Sequence, residues 1–180
     1  MIVEIGHYAL VLALAVALIN SVLPVIGARR NDAGMMELAT TGAYALFVLV
    51  LLSFLSLVWA YEASDFSVKN VWENSHSAMP AIFRFSAVWG NHEGSMMLWL
   101  LILTFFSALV AFFGRNLPET LKANALAVQS WMGVAFTLFI LLTSNPFIRL
   151  SPVPAEGEDL NPILQDVGLA IHPPLLYLGY

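Results

Sequence analysis

Two short segments carry the side chains that could do chemistry. The first is Trp89-Gly90-Asn91-His92-Glu93-Gly94-Ser95, which sets an indole, an amide, an imidazole and a carboxylate around two glycines. The glycines permit tight turns and the close approach of a planar partner. Ser95 is placed to cap a helix that follows. The residue types leave two readings open. One is an interfacial loop with a helix cap and a tryptophan anchor. The other is the wall of a site for a flat ligand or a partner, with Trp89 and His92 as wall rather than ligand.

The second segment is His172-Pro173-Pro174-Leu175-Leu176-Tyr177. A residue before proline is disfavoured in the α region, so His172 is expected on a turn. Pro173 or Pro174 would then sit in the first turn of a new helix. That arrangement holds an imidazole rigidly at the edge of an apolar phase, which is what an axial ligand of a haem iron requires. The alternative is a histidine that merely tolerates both phases. His76, beside Trp72 and Met79, and His7 read as ordinary interfacial residues. No HExxH, Walker A, GxGxxG or GxSxG pattern occurs. Cysteine is absent, which excludes disulfides, thiolate metal sites and cysteine nucleophiles.

The elements that must position these segments are membrane helices. Of 180 residues, 59% are hydrophobic and 11% charged, against roughly 45–50% and about 25% in soluble domains. There are too few polar side chains to cover a soluble fold. Seven Lys and Arg against twelve Asp and Glu leave a net charge of -5. No basic footprint for nucleic acid exists, and none is expected as a partner. Apolar runs cover residues 5–28, 38–60, 96–113 and 125–142. Each spans about 18–24 residues, or roughly 27–36 Å of helix, enough for a hydrocarbon core about 30 Å thick. Without water to satisfy the backbone there, such runs must be helical. The missing period-2 alternation argues against a β-barrel.

The expected fold class is therefore all-α, a polytopic transmembrane helix bundle with four complete membrane helices plus the start of a fifth. Pro173 and Pro174 open the apolar stretch of the fifth, Leu175 to Tyr180, and the chain reads as the N-terminal part of a longer membrane domain. Glu4 stands where a signal peptide needs a basic segment, so the first run reads as a retained helix. Asp159 is expected to cap a helix over Leu160–Ala170 that lies on the membrane face. Arg29, Arg30, Arg115 and Lys122 crowd the short first and third links, whereas Lys69, Arg84 and Arg149 are spread over the long ones. The positive-inside bias then places the N-terminus and the loops at about 61–95 and 143–172 outside. Trp59, Tyr61, Trp89 and Trp99 would form an outer aromatic belt. The membrane runs lack central charges, which speaks against a proton pump or ion channel.

WGNHEGSMMLW at 89–99, SNPFIRLSPVPAEGEDLNPILQDVGLAIHPPLLYLGY at 144–180 and IGHYALVLAL at 5–14 resemble the CcmF family of cytochrome c-type biogenesis proteins. The resemblance covers the whole chain, and the paralogous NrfE proteins share the layout. It implies a haem lyase component of the bacterial inner membrane with a periplasmic N-terminus, bathed in membrane lipid. Such a protein accepts haem (haem b) from the chaperone CcmE. With CcmH and the associated Ccm subunits it promotes covalent attachment of that haem to apocytochrome c in the periplasm. His172 matches the family's axial ligand to the haem iron. The family's tryptophan-rich segment, its second outer histidine and the two histidines of a structural haem b lie downstream of the matched residues. Haem lyase activity is accordingly expected only of the full-length protein within its complex. The alternative from another class is a membrane transporter or respiratory-complex subunit with no haem-ligation role.

Overall fold

The computed structural model describes residues 1–179, apart from the side chain of Leu169. In chain order the helices are α1 (Ile2–Arg30), α2 (Ala33–Glu62), α3 (Lys69–Asn74), α4 (Ala81–Ala87), α5 (His92–Phe113), α6 (Glu119–Thr143) and α7 (Val167–Gly179). The chain is 77% helical, with no strand among the described residues. Four helices, α1, α2, α5 and α6, are long and apolar enough to cross a membrane. The protein is an all-α, multi-pass membrane protein.

These helices overrun the apolar stretches, because hydropathy marks only the part suited to hydrocarbon while the helix continues to its caps. Asn31, with a left-handed φ of 53°, closes α1. Asp32 then opens α2 by accepting the Met35 N–H at 3.1 Å. A two-residue link suffices to reverse the chain.

Small residues bring the long helices together. Ala9, Ala13 and Ala17 of α1 and Ala39, Ala43 and Ala60 of α2 are all buried. Lipid tails are as apolar as leucine, so close packing of small side chains and interhelical hydrogen bonds must hold such a bundle. Asn20 supplies the bonds. Its Nδ2 donates to Ser130 Oγ of α6 at 3.0 Å and to the Ala39 carbonyl of α2 at 3.3 Å. Gly42 makes the room, since a Cβ there would lie 2.4 Å from Asn20 Oδ1. Trp131 Nε1 adds a bond to the Ser21 carbonyl at 2.6 Å, next to the Asn20 carbonyl, which Pro24 leaves without its helix donor.

The α2–α5 link and the segment after α6 fold together over the end of the bundle that carries the N-terminus. Arg149 pairs with Asp65 at 3.0 Å and also binds Glu4 and Ser67. Burial pushes the Asp65 carboxyl up, but the Ser67 hydroxyl and Arg149 outweigh it and hold it below the usual range. Lys69 N–H donates to the Ile148 carbonyl, Leu150 N–H to Ser67 and Glu158 N–H to Trp72, each at 2.8 Å. We refer to this unit as the cap.

Three expectations are corrected here. Tyr61 is fully buried rather than part of an interfacial belt. Its hydroxyl donates to Asn70 Oδ1 at 2.7 Å and accepts from Asn91 Nδ2 at 2.9 Å. No helix runs over Leu160–Ala170. Asp159 adopts φ 79°, Asn161 caps a single 3-10 turn at Pro162–Leu164, and Asp166 accepts the Gly168 N–H at 2.8 Å ahead of α7. Finally, His172 lies inside α7 rather than on a turn before it, with Pro173 and Pro174 also inside that helix.

Candidate functional site

The site is built on the start of α5. Asn91, not Ser95, is the N-cap: its Oδ1 accepts the Gly94 N–H at 2.8 Å. The same side chain donates to the Ala87 carbonyl at 2.8 Å and to Tyr61. Asn70 of α3 donates to Asn91 Oδ1 at 2.9 Å. A buried Tyr61–Asn70–Asn91 network therefore ties the ends of α2, α3, α4 and α5. Gly94 is required by close approach, since a Cβ there would lie 1.6 Å from the Val88 carbonyl oxygen. Ser95 has a different task and donates to the Trp89 carbonyl at 2.7 Å.

Trp89 is set by its neighbours before it meets α7. Its ring stands edge-to-face with Phe85, centroids 5.0 Å apart. Its Nε1 then donates to the Ala170 carbonyl of α7 at 2.8 Å. One helical face further along, Tyr177 stacks on Trp99 of α5, 5.5 Å between centroids and 9° between planes. Ala170 and Tyr177 are seven residues apart, about two turns, and so share a face.

Between these elements lies a cavity of about 380 Å³ lined by Trp89, His92, Met96, Trp99, Pro173 and Tyr177, among others. His92 is exposed at its rim, edge-to-face with Phe139 at 5.9 Å. The lining is mostly aromatic and apolar, with Ser86, Asn91 and Ser95 beside the His92 imidazole, a surface that offers a flat group stacking faces and a few polar contacts.

The structure thus brings Trp89 and His92 together but leaves His172 elsewhere. His172 is two residues from Ala170, a rotation of about 200°, and is exposed on the side of α7 away from the cavity. The other histidines have local partners. His7 lies beside Phe147 at 6.0 Å between centroids and 3.4 Å from Asn145. His76 Nδ1 accepts the Ala78 N–H at 3.1 Å. In the sequence Asn91 reads only as an amide of the 89–95 segment and Tyr61 only as a belt residue, and neither Asn70 nor the network that joins the three is legible there. An asparagine three residues before Gly94 was a readable cap signal, but Asn70 lies 21 residues from Asn91 and nothing local announces the pairing.

The model of the family described as cytochrome C assembly protein matches residues 89–180, a stretch that opens at Trp89 and runs through α5, α6 and α7. The chain is 69% identical over 180 residues to the cytochrome c-type biogenesis protein CycK of Rhizobium meliloti, covering 100% of this chain and 27% of that one. It is 51% identical to the cytochrome c-type biogenesis protein CcmF of Pseudomonas aeruginosa, covering 100% of this chain and 28% of that one. Among solved structures it resembles Cytochrome c Heme Lyase CcmF, with TM-score 0.83 and 25% identity over 99% of this chain and 28% of that one. The chain thus spans between a quarter and a third of the length of these proteins. With half of its residues matched by the family model, and a solved relative similar over 99% of the chain at TM-score 0.83, the chain belongs to the cytochrome c assembly protein family.

Proposed function

We propose that this chain forms the haem-receiving outer part of a cytochrome c haem lyase. In this reading the N-terminus and the cap face the periplasm, and the bundle lies in a bacterial inner membrane. Haem b arrives from a chaperone of the CcmE kind. Its attachment to apocytochrome c proceeds alongside CcmH and associated subunits. The observation that carries the reading is His172, an exposed imidazole on a helix held by Trp89 and Trp99 against the cap.

The donor set suits delivered haem better than a bare ion. An axial position takes one imidazole, whereas among the described residues no group of three His, Cys, Asp or Glu could hold a metal ion. His172 would supply an imidazole to the haem iron. The delivered haem supplies vinyl groups, to which the apocytochrome thiols add as thioethers. The protein's part is to orient: α7 aims the imidazole, and the cavity beside Trp89 and His92 offers a largely aromatic wall to the haem edge or to the incoming partner.

The test is His172→Ala in the full-length protein, read by haem staining of a co-expressed c-type cytochrome. Attachment should be lost while the variant still inserts and folds, because an exposed side chain contributes little to packing. Added imidazole should restore part of it by filling the empty coordination position. Wild-type attachment in the variant would return His172 to a merely interfacial role.

A further inference from the structure

A proline inside a helix leaves the carbonyl four residues earlier without its donor. In α7 the affected carbonyl for Pro174 is that of Ala170. Ala170 is half-buried, so water does not fully replace the missing bond, and an unsatisfied buried acceptor is costly. The Trp89 indole N–H meets this carbonyl at 2.8 Å across 81 residues of chain. The donor is preset: Phe85 fixes the ring edge-on, Ser95 holds the Trp89 carbonyl, and the Trp89 N–H donates to Ser86 at 3.2 Å.

We infer that Trp89 is a positioning residue for His172: its N–H replaces the helix bond deleted by Pro174, which keeps α7 continuous through His172 and sets the direction of the imidazole. The tandem prolines and the tryptophan then form one device. Pro174 frees the Ala170 carbonyl at a defined point, and the cap docks on it. The α region is disfavoured for the pre-proline His172 in any case, so without the indole bond α7 should break there. Tyr177 on Trp99 anchors the helix beyond the prolines, and Trp89 anchors it before them, so His172 is held from both sides.

This inference rests on the haem-ligand reading of His172, and its test separates the two. Trp89→Phe keeps the ring against Phe85 but removes the donor. Pro174→Ala returns an N–H to the Ala170 carbonyl from within the helix. Amide hydrogen exchange over 167–179 should rise on the order of tenfold in Trp89→Phe. In the Trp89→Phe/Pro174→Ala double variant it should return to near the wild-type rate. Haem attachment in the full-length protein should follow the same cycle, impaired in the single variant and recovered in the double. Unchanged exchange in Trp89→Phe, or a double variant no better protected than Trp89→Phe, would overturn the inference. Wild-type attachment in His172→Ala would instead remove the ligand reading while leaving the exchange cycle to decide the clamp.

Discussion

Asn91 concentrates more connections than any residue flagged for chemistry. It caps α5, holds the end of α4 through Ala87 and satisfies the buried Tyr61 hydroxyl. Losing a helix N-cap costs about 1 kcal/mol, and stranding buried polar partners costs about 1–3 kcal/mol more. Asn91→Ala should therefore destabilise the protein by about 2–4 kcal/mol, seen as a fall of several degrees in the thermal unfolding midpoint in detergent. A midpoint unchanged from wild type would mean that water replaces the amide, contrary to the burial of Tyr61. The same network explains why His92 is available at the cavity rim. Asn91 takes the capping role, and the next side chain is left to face outward.

At the scale of elements, the segment between α6 and α7 is fastened to the α3–α4 link through Glu156. Its carboxylate accepts from Ser77 Oγ at 2.6 Å and from the Ser77 N–H at 3.0 Å. The Ser77 hydroxyl first, then the Ser77 and Gly157 N–H groups, hold the Glu156 pKa down to about 2. A carboxylate depressed in the folded state contributes above its unfolded pKa, about 4.3, and loses that contribution as pH falls through its folded value. The fastening should thus be intact at neutral pH and loosen between about pH 4.5 and pH 2. Limited proteolysis of the 150–160 segment at graded pH should show cleavage rising over that window. Glu156→Gln should be cleaved faster than wild type at neutral pH and show a flatter profile. A variant as resistant as wild type at pH 7 would mean that the backbone bonds from Glu158 and Leu150 hold the segment without it.

For the whole molecule, the N-terminus, both long connections and the cap share one end, while the short links with Arg29, Arg30, Arg115 and Lys122 share the other. In the proposed orientation, which follows the positive-inside bias, the second end faces the cytoplasm. The chain has no native cysteine, so single cysteines report cleanly. Glu158→Cys, exposed on the cap, should react with an impermeant thiol reagent applied from the periplasm. Asn116→Cys, exposed on the opposite end, should react only after the membrane is opened. The reverse pattern would invert the orientation and remove the periplasmic site from the proposed function.

By itself the sequence determined the membrane class, the number of spanning helices and the segments with chemical potential. Those follow from run length, composition and residue type, which act locally. The positions of the helix ends did not follow, because caps such as Asn31 and Asp32 act beyond the apolar stretch. The path of α7 did not follow either. Local rules place His172 before a proline on a turn, whereas in the structure it is helical, with Trp89 bonded to the Ala170 carbonyl before it and Tyr177 stacked on Trp99 beyond it. The separation of His172 from the Trp89–His92 cavity was likewise decided by tertiary structure, since it depends on which face of α7 meets α5. The Tyr61–Asn70–Asn91 network unites residues from three elements, and no spacing in the chain encodes it. Local sequence dictates what each segment can form, whereas partners far along the chain supply the bonds that choose among those forms.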